Sequence, residues 1–216
     1  MTFSQGIIIF SHIPILVTAV YAGVNYRSLG RELKIFTGFI FLSWIIQFTS
    51  LVFWFSRENN LPLLHVYTAV GFVLLAWFYR AVLQDFMDRR VIEAVAVLFF
   101  LFTVVNTWFF QPIFTFNSYA LTAESVLVII LSLSTYMLLL NDIVKEKRKQ
   151  DIPSLHWINS GLFIYYSSSL LIFYFGALIT HAFPKDLSRY TWVLHSFFSI
   201  VMYTCFFVGL WKRPKR

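Results

Sequence analysis

Six polar side chains lie inside otherwise apolar stretches of this sequence: His12, Gln47, His65, Asn106, Glu124 and His195. Such groups cost a few kcal/mol or more in hydrocarbon unless they are paired, so finding them there points to function. Three histidines and a carboxylate have three chemical uses. They can receive a ligand or a proton in a sensing pocket. His12, His65 and His195 can hold zinc with an open coordination position, with Glu124 handling protons. His65 and His195 can clasp a haem from facing helices. A zinc hydrolase with two histidines on one helix needs a His-x-x-x-His pair, and the nearest two histidines here, His181 and His195, are 14 residues apart. A retinal pigment needs a lysine within the membrane, and none of the apolar stretches contains one. Cys205 is the single cysteine, which excludes a disulfide framework, a thiolate metal site or an iron–sulfur cluster within one chain. The reading that remains ahead is a cofactor-free binding pocket.

The elements that must position these residues follow from composition. Of 216 residues 59% are hydrophobic and only 12% charged, too few charges to cover a water-soluble globule of this size. The solvent is therefore lipid. Seven apolar segments, residues 6–25, 35–55, 61–83, 91–110, 119–141, 156–180 and 190–211, are each long enough for a tilted transmembrane helix. The fold class expected is all-α, an integral membrane bundle of seven helices forming one domain over residues 1–216. The connections between spans are too short to fold alone, which leaves no room for a nucleotide-binding or DNA-binding domain. Pro62 opens the third span, where its missing N–H is harmless, whereas Pro14 falls inside the first and predicts a kink or break there. No lysine or arginine precedes the first apolar run, which argues against a cleaved signal.

Direction follows from the basic residues. Fourteen lysines and arginines fall on one side: Arg27, Arg31 and Lys34, then Arg80, Arg89 and Arg90, then Lys145, Lys147, Arg148 and Lys149, then Lys212, Arg213, Lys215 and Arg216. Three fall on the other, Arg57, Lys185 and Arg189. Positively charged loops stay in the cytoplasm, so the N-terminus is expected outside and the C-terminus inside. The net charge of +7 is thus topological and gives no argument for nucleic acid.

With about 1.5 Å of rise per residue, the three histidines lie roughly 6–10 Å below the outer ends of spans one, three and seven, and Glu124, Asn106 and Gln47 about 6–12 Å below the same surface. Six helices thereby offer one polar side chain each to an outer layer, with His181 placed to cap it from above. On span seven His195, Ser199 and Tyr203 recur every four residues, and on span three His65, Thr68, Ala69 and Ala76 share a face that Phe72 interrupts. Span six adds the hydroxyls of Tyr165, Tyr166 and Ser167 to Ser169. The competing expectation is that each polar group merely satisfies a neighbour. Trp54, Trp108 and Trp192 on the outer side, with Trp157 and Trp211 on the inner, form an aromatic belt, while Trp44 and Trp77 sit deeper.

The stretch from His156 to Phe173, together with the run from Trp192 to Trp211, resembles the seven-helix membrane regions that precede the kinase in some bacterial sensor histidine kinases. The resemblance implies a receptor-like sensory bundle in the inner (plasma) membrane that reads a signal from outside or from the bilayer. Here the chain reaches Arg216 five residues after the last span with no kinase in it. Signal transduction would then pass through a separate cytoplasmic protein docked on the basic inner loops.

Overall fold

The protein was analysed as a computed structural model that describes residues 3–141, 146, 149–182 and 185–214; side chains at residues 3–5, 8, 180–182 and 185–188 lie outside that description. Among the described residues there are helices and no strands. Their order is α1 (Phe3–Phe10), α2 (His12–Val24), α3 (Arg31–Phe55), α4 (Leu61–Val82), α5 (Arg89–Val105), α6 (Ser118–Leu140), α7 (Ile152–Tyr174), α8 (Gly176–Ala182) and α9 (Lys185–Trp211). A single π-helical turn, Asn106–Phe110, extends α5.

Among the described residues five helices are long and apolar enough to cross a membrane: Arg31–Phe55, Leu61–Val82, Arg89–Phe110, Ser118–Leu140 and Arg189–Trp211. This is a helical, multi-pass membrane architecture. Helix α7 has 23 residues, but His156, Asn159 and its run of tyrosines and serines make it more polar than those five. It carries them where it packs between α6 and α9, with Asn159, Tyr166 and Ser169 buried.

Two expected spans are not single helices. The first is split at Ser11, and Pro14 supplies the reason: it has no N–H to give to the carbonyl of Phe10, so the ladder fails at that turn. Helix α2 therefore has only 13 residues. The sixth span, expected to run to residue 180, stops at Tyr174, and Phe175 separates it from α8, which begins at Gly176. Pro62 and Pro153 occupy first-turn positions of α4 and α7, where no donor is lost. Asp88 caps α5 by accepting the Arg90 N–H at 2.9 Å.

The helices close a ring in the order α2, α3, α4, α6, α7, α9 and back to α2, with α5 packed mainly on the outside of α4. Inside the ring, Phe36 meets Phe206 edge-on at 4.8 Å and Phe78 at 4.9 Å between centroids. The outward faces are apolar, as lipid requires, with Val97, Leu98 and Leu101 of α5 exposed. Trp54, Trp108, Trp157 and Trp211 are exposed as a belt would have them, Trp192 packs on Phe116, and Trp44 stacks on Phe48.

Helices α7 and α9 approach closely, with a glycine at each contact. A Cβ added at Gly161 would lie 2.8 Å from the Cys205 Cβ and 3.0 Å from the Met202 carbonyl oxygen. One at Gly209 would lie 2.7 Å from Ile158 Cγ1 and 3.0 Å from the Ser154 carbonyl oxygen. Backbone cannot yield as a flexible side chain does, so these glycines set the interhelical distance. Gly161→Ala and Gly209→Ala should each destabilise the bundle by about 1–3 kcal/mol. Gly38→Ala, whose new methyl would find its nearest neighbour at 3.9 Å, should be neutral or mildly stabilising. Thermal unfolding of the three variants in one detergent decides between these outcomes.

Candidate functional site: a buried tyrosine, glutamate and histidine network

Hydroxyl groups within the helices are mostly consumed locally. Thr37, Thr68, Ser125 and Thr135 each donate to the carbonyl four residues back at 2.8–2.9 Å. The longer side chains of tyrosine, glutamine, glutamate and histidine cannot fold back so closely. They reach across to other helices, and there the polar groups gather.

In the half of the ring where α6 begins, Tyr166 of α7 donates its hydroxyl to Glu124 Oε1 of α6 at 3.0 Å. That is the only hydrogen bond the Glu124 carboxyl makes among the described residues, and no cation contacts it. Beside it, the Tyr165 hydroxyl and His195 Nε2 of α9 are 2.9 Å apart. On the far wall Ser43 of α3 bonds the Tyr67 hydroxyl of α4 at 3.1 Å, and Gln47 Nε2 donates to the Tyr203 hydroxyl of α9 at 2.7 Å. The Tyr203 hydroxyl also reaches Ser43 and Tyr67. Tyr67 is in turn within electrostatic range of Tyr165 and Glu124. Four tyrosines, one carboxyl and one imidazole from α4, α6, α7 and α9 thus make one cluster, with α3 joining through Ser43 and Gln47. Phe173 and Trp192 flank the His195 ring at 5.4 and 5.8 Å between centroids.

His65 and Asn106 belong to a different assembly. Asn106 Nδ2 donates to Asn117 Oδ1 at 2.9 Å and Gln111 Oε1 at 3.2 Å. Gln111 Nε2 donates to Ser118 Oγ at 2.7 Å, and the Tyr119 N–H returns to Gln111 Oε1 at 2.9 Å. These bonds staple the connection between α5 and α6, and the π turn closes with the Gln111 N–H on the Asn106 carbonyl at 2.8 Å.

His65 holds the same connection from α4, with Nε2 3.0 Å from the Thr115 carbonyl oxygen and Nδ1 2.9 Å from Thr107 Oγ1. A carbonyl only accepts, so Nε2 carries a hydrogen. The Thr107 hydroxyl has a second acceptor in the Thr103 carbonyl, 2.9 Å away. It donates to Nδ1 of a neutral ring, or turns to Thr103 and accepts from a charged one. Either form of this imidazole is satisfied.

The six residues therefore do not meet as one layer. Glu124, Gln47 and His195 join the tyrosine cluster, which spans about two helical turns between His195 and Tyr203. His65 and Asn106 are buried in the loop staple, and His12 is half-buried at the start of α2. The side chain of His181, expected to cap the layer, lies outside the described residues. Among the described residues no three His, Cys, Asp or Glu side chains group as metal ligands, so His12, His65 and His195 do not form a zinc site. Both nitrogens of His65 are engaged by protein, which leaves neither free to ligate a haem iron.

Tyr67 and its partner Ser43 are the members that sequence reasoning missed. Only the place of Tyr67 two residues from His65 gave a hint. Ser169, one turn beyond Tyr165, is wholly buried with its hydroxyl unpartnered beside this cluster.

A second knot lies toward the opposite ends of the same helices. The Tyr79 hydroxyl meets Ser132 Oγ at 2.8 Å and Asn159 Oδ1 at 3.2 Å, and Asn159 Nδ2 donates to the Ser132 carbonyl at 3.0 Å. It contains no ionisable group of the carboxyl or imidazole kind. Comparison with family models, with curated proteins and with solved structures finds no match to this chain, so its function must be argued from this geometry.

Tyr166→Phe removes the single donor to Glu124 and should cost about 1–3 kcal/mol of stability. In the Glu124→Leu background the same change should cost much less. A double-mutant cycle on melting in detergent measures the coupling, and additive effects would show that the two groups do not interact.

Proposed function

We propose that this chain is a sensor or receptor-like protein of seven crossings, without enzymatic chemistry of its own. The tyrosine, glutamate and histidine cluster is its sensing element, and the output passes through a separate cytoplasmic protein at the basic inner loops. The observation that carries this reading is the contrast between the two buried polar knots. Holding helices together is accomplished by the neutral Tyr79, Ser132 and Asn159 set, and needs nothing ionisable. Glu124 and His195 add groups whose charge can change in a medium where charge is expensive, which is costly for mere cohesion and useful for a switch. A ligand or proton that alters one hydrogen bond of this cluster alters the relative stability of two helix arrangements.

The topology rests on two supports. Arg213, two residues past α9, donates to the Tyr21 hydroxyl at 2.8 Å, Asn25 Oδ1 at 2.7 Å and Ser28 Oγ at 3.1 Å, joining the last helix end to the end of α2. First and last crossings then finish on one side, as an odd number of crossings demands. Basic residues concentrate on that side, which makes it cytoplasmic by the positive-inside rule and puts the N-terminus outside. Of the Lys145 to Lys149 cluster, Lys145, Lys147 and Arg148 lie outside the described residues. The plasma membrane of a bacterium is the location that goes with the sensory reading.

Spin labels at Gln84 and Lys212, in the full chain reconstituted in nanodiscs, report the separation of the inner ends of α4 and α9. Glu124→Gln and His195→Ala should each shift the distance distribution relative to the unsubstituted protein while helix content stays constant. Identical distributions for all three proteins across pH 5–8 would sink the switch and leave a structural subunit.

A further inference from the structure

An open cleft of about 450 Å³ lies at the inner ends of α4 and α5, lined by Arg80, Gln84, Met87, Asp88, Arg89, Arg90 and Glu93. It is remote from the tyrosine cluster and plays no part in the sensing proposal. Three guanidinium groups face two carboxylates, and the carboxylates are already committed. Asp88 caps α5 through the Arg90 N–H, and Glu93 pairs with Arg80 through its Nε. Arg89 spends one nitrogen on Gln84 Oε1 at 3.0 Å. Among the described residues the Arg90 guanidinium makes no hydrogen bond to protein, and Arg80 keeps its two terminal nitrogens. The cleft therefore presents a surplus of planar donors arranged to take an anion with several oxygens.

What stands above the cleft identifies the anion. Along α4, Trp77 is one turn from Arg80, and along α5, Val97 and Leu101 continue the face that begins at Glu93. All three are exposed, at 54%, 59% and 54%. A cationic notch at the helix ends thus lies one to two turns from exposed apolar surface on the same two helices. We infer that this cleft is a binding site for the headgroup phosphate of an anionic phospholipid whose acyl chains lie against Trp77, Val97 and Leu101. A soluble phosphate would use the arginines and leave the apolar wall without purpose.

The full chain, delipidated in detergent, would be titrated with phosphatidylglycerol and with phosphatidylcholine, and binding read by native mass spectrometry. Phosphatidylglycerol should bind in preference. Arg90→Gln should weaken it about fivefold, the loss expected for one cation near a headgroup. Glu93→Gln, which releases Arg80 from its partner, should tighten binding by a similar factor, a sign that general damage to the fold would not give. Lys212→Gln, at the same membrane face but outside the cleft, should change little. Equal weakening by Lys212→Gln and Arg90→Gln would reveal diffuse surface charge and overturn the site. Displacement of the lipid by millimolar inorganic phosphate would reassign the cleft to a soluble anion. Failure of any of these arms would leave the tyrosine cluster and its spin-label test untouched.

Discussion

Hydrocarbon offers no hydrogen bonds, and every polar atom within this ring of helices has to find its partner in the protein. The structure meets most of that demand at three levels, the buried Ser154 and Ser169 hydroxyls being exceptions. Backbone groups close within the helices, short hydroxyls fold back on their own turn, and long polar side chains meet across the ring. Where the backbone ladder cannot close, at Pro14, the helix breaks at Ser11, and the Thr18 hydroxyl bonds the Pro14 carbonyl at 2.7 Å and lies 3.1 Å from that of Tyr203. The defect in α2 thereby becomes a contact with α9.

The same constraint explains the irregular end of α5. A loop dipping toward the bundle carries amides that water would otherwise satisfy. Gln111 supplies such a partner to the Tyr119 N–H, while the side chains of Asn106, Gln111, Asn117 and Ser118 bond one another and the π turn brings Asn106 around to face them. His65 belongs to this economy too, because it satisfies the Thr115 carbonyl. Its burial is thus accounted for by the loop it holds, whereas nothing comparable accounts for Glu124.

Much of the architecture was legible because span length and apolarity are one-dimensional properties. The five long helices begin and end within a few residues of the expected spans, and the trouble at Pro14 was visible as a missing donor. Helix starts were placed too late, at residues 35, 91 and 156 instead of Arg31, Arg89 and Ile152, because charged and polar first turns were counted as loop. The site was less legible. Which way a helix is rotated decides whether Tyr67 or Thr68 looks at Glu124, and the sequence pattern on α4 was blurred by Phe72. By residue count His65 and Asn106 share a level with His195, but their partners, Gln111, Asn117 and Thr115, lie in a connection whose polar residues carry no periodic signal. The break at Phe175 had no proline to announce it.

Helices α7 and α9 are held together by two different forces along their length. Toward the start of α7 and the end of α9, Gly161 and Gly209 bring backbone against backbone, and cohesion there is dispersion that depends steeply on volume. Nearer the other ends of the two helices, Tyr165 and His195 meet through one directional bond flanked by aromatic rings, which depends on donors and acceptors and tolerates displacement. The ionisable members of the cluster, Glu124 and His195, sit toward that end, away from the glycine contacts. A change in their bonding can therefore shift α4 and α6 against the α7–α9 pair without unpacking the close glycine contact. A bundle required only to be stable would gain nothing from that division, while one in which part of the ring moves against a fixed helix pair requires it.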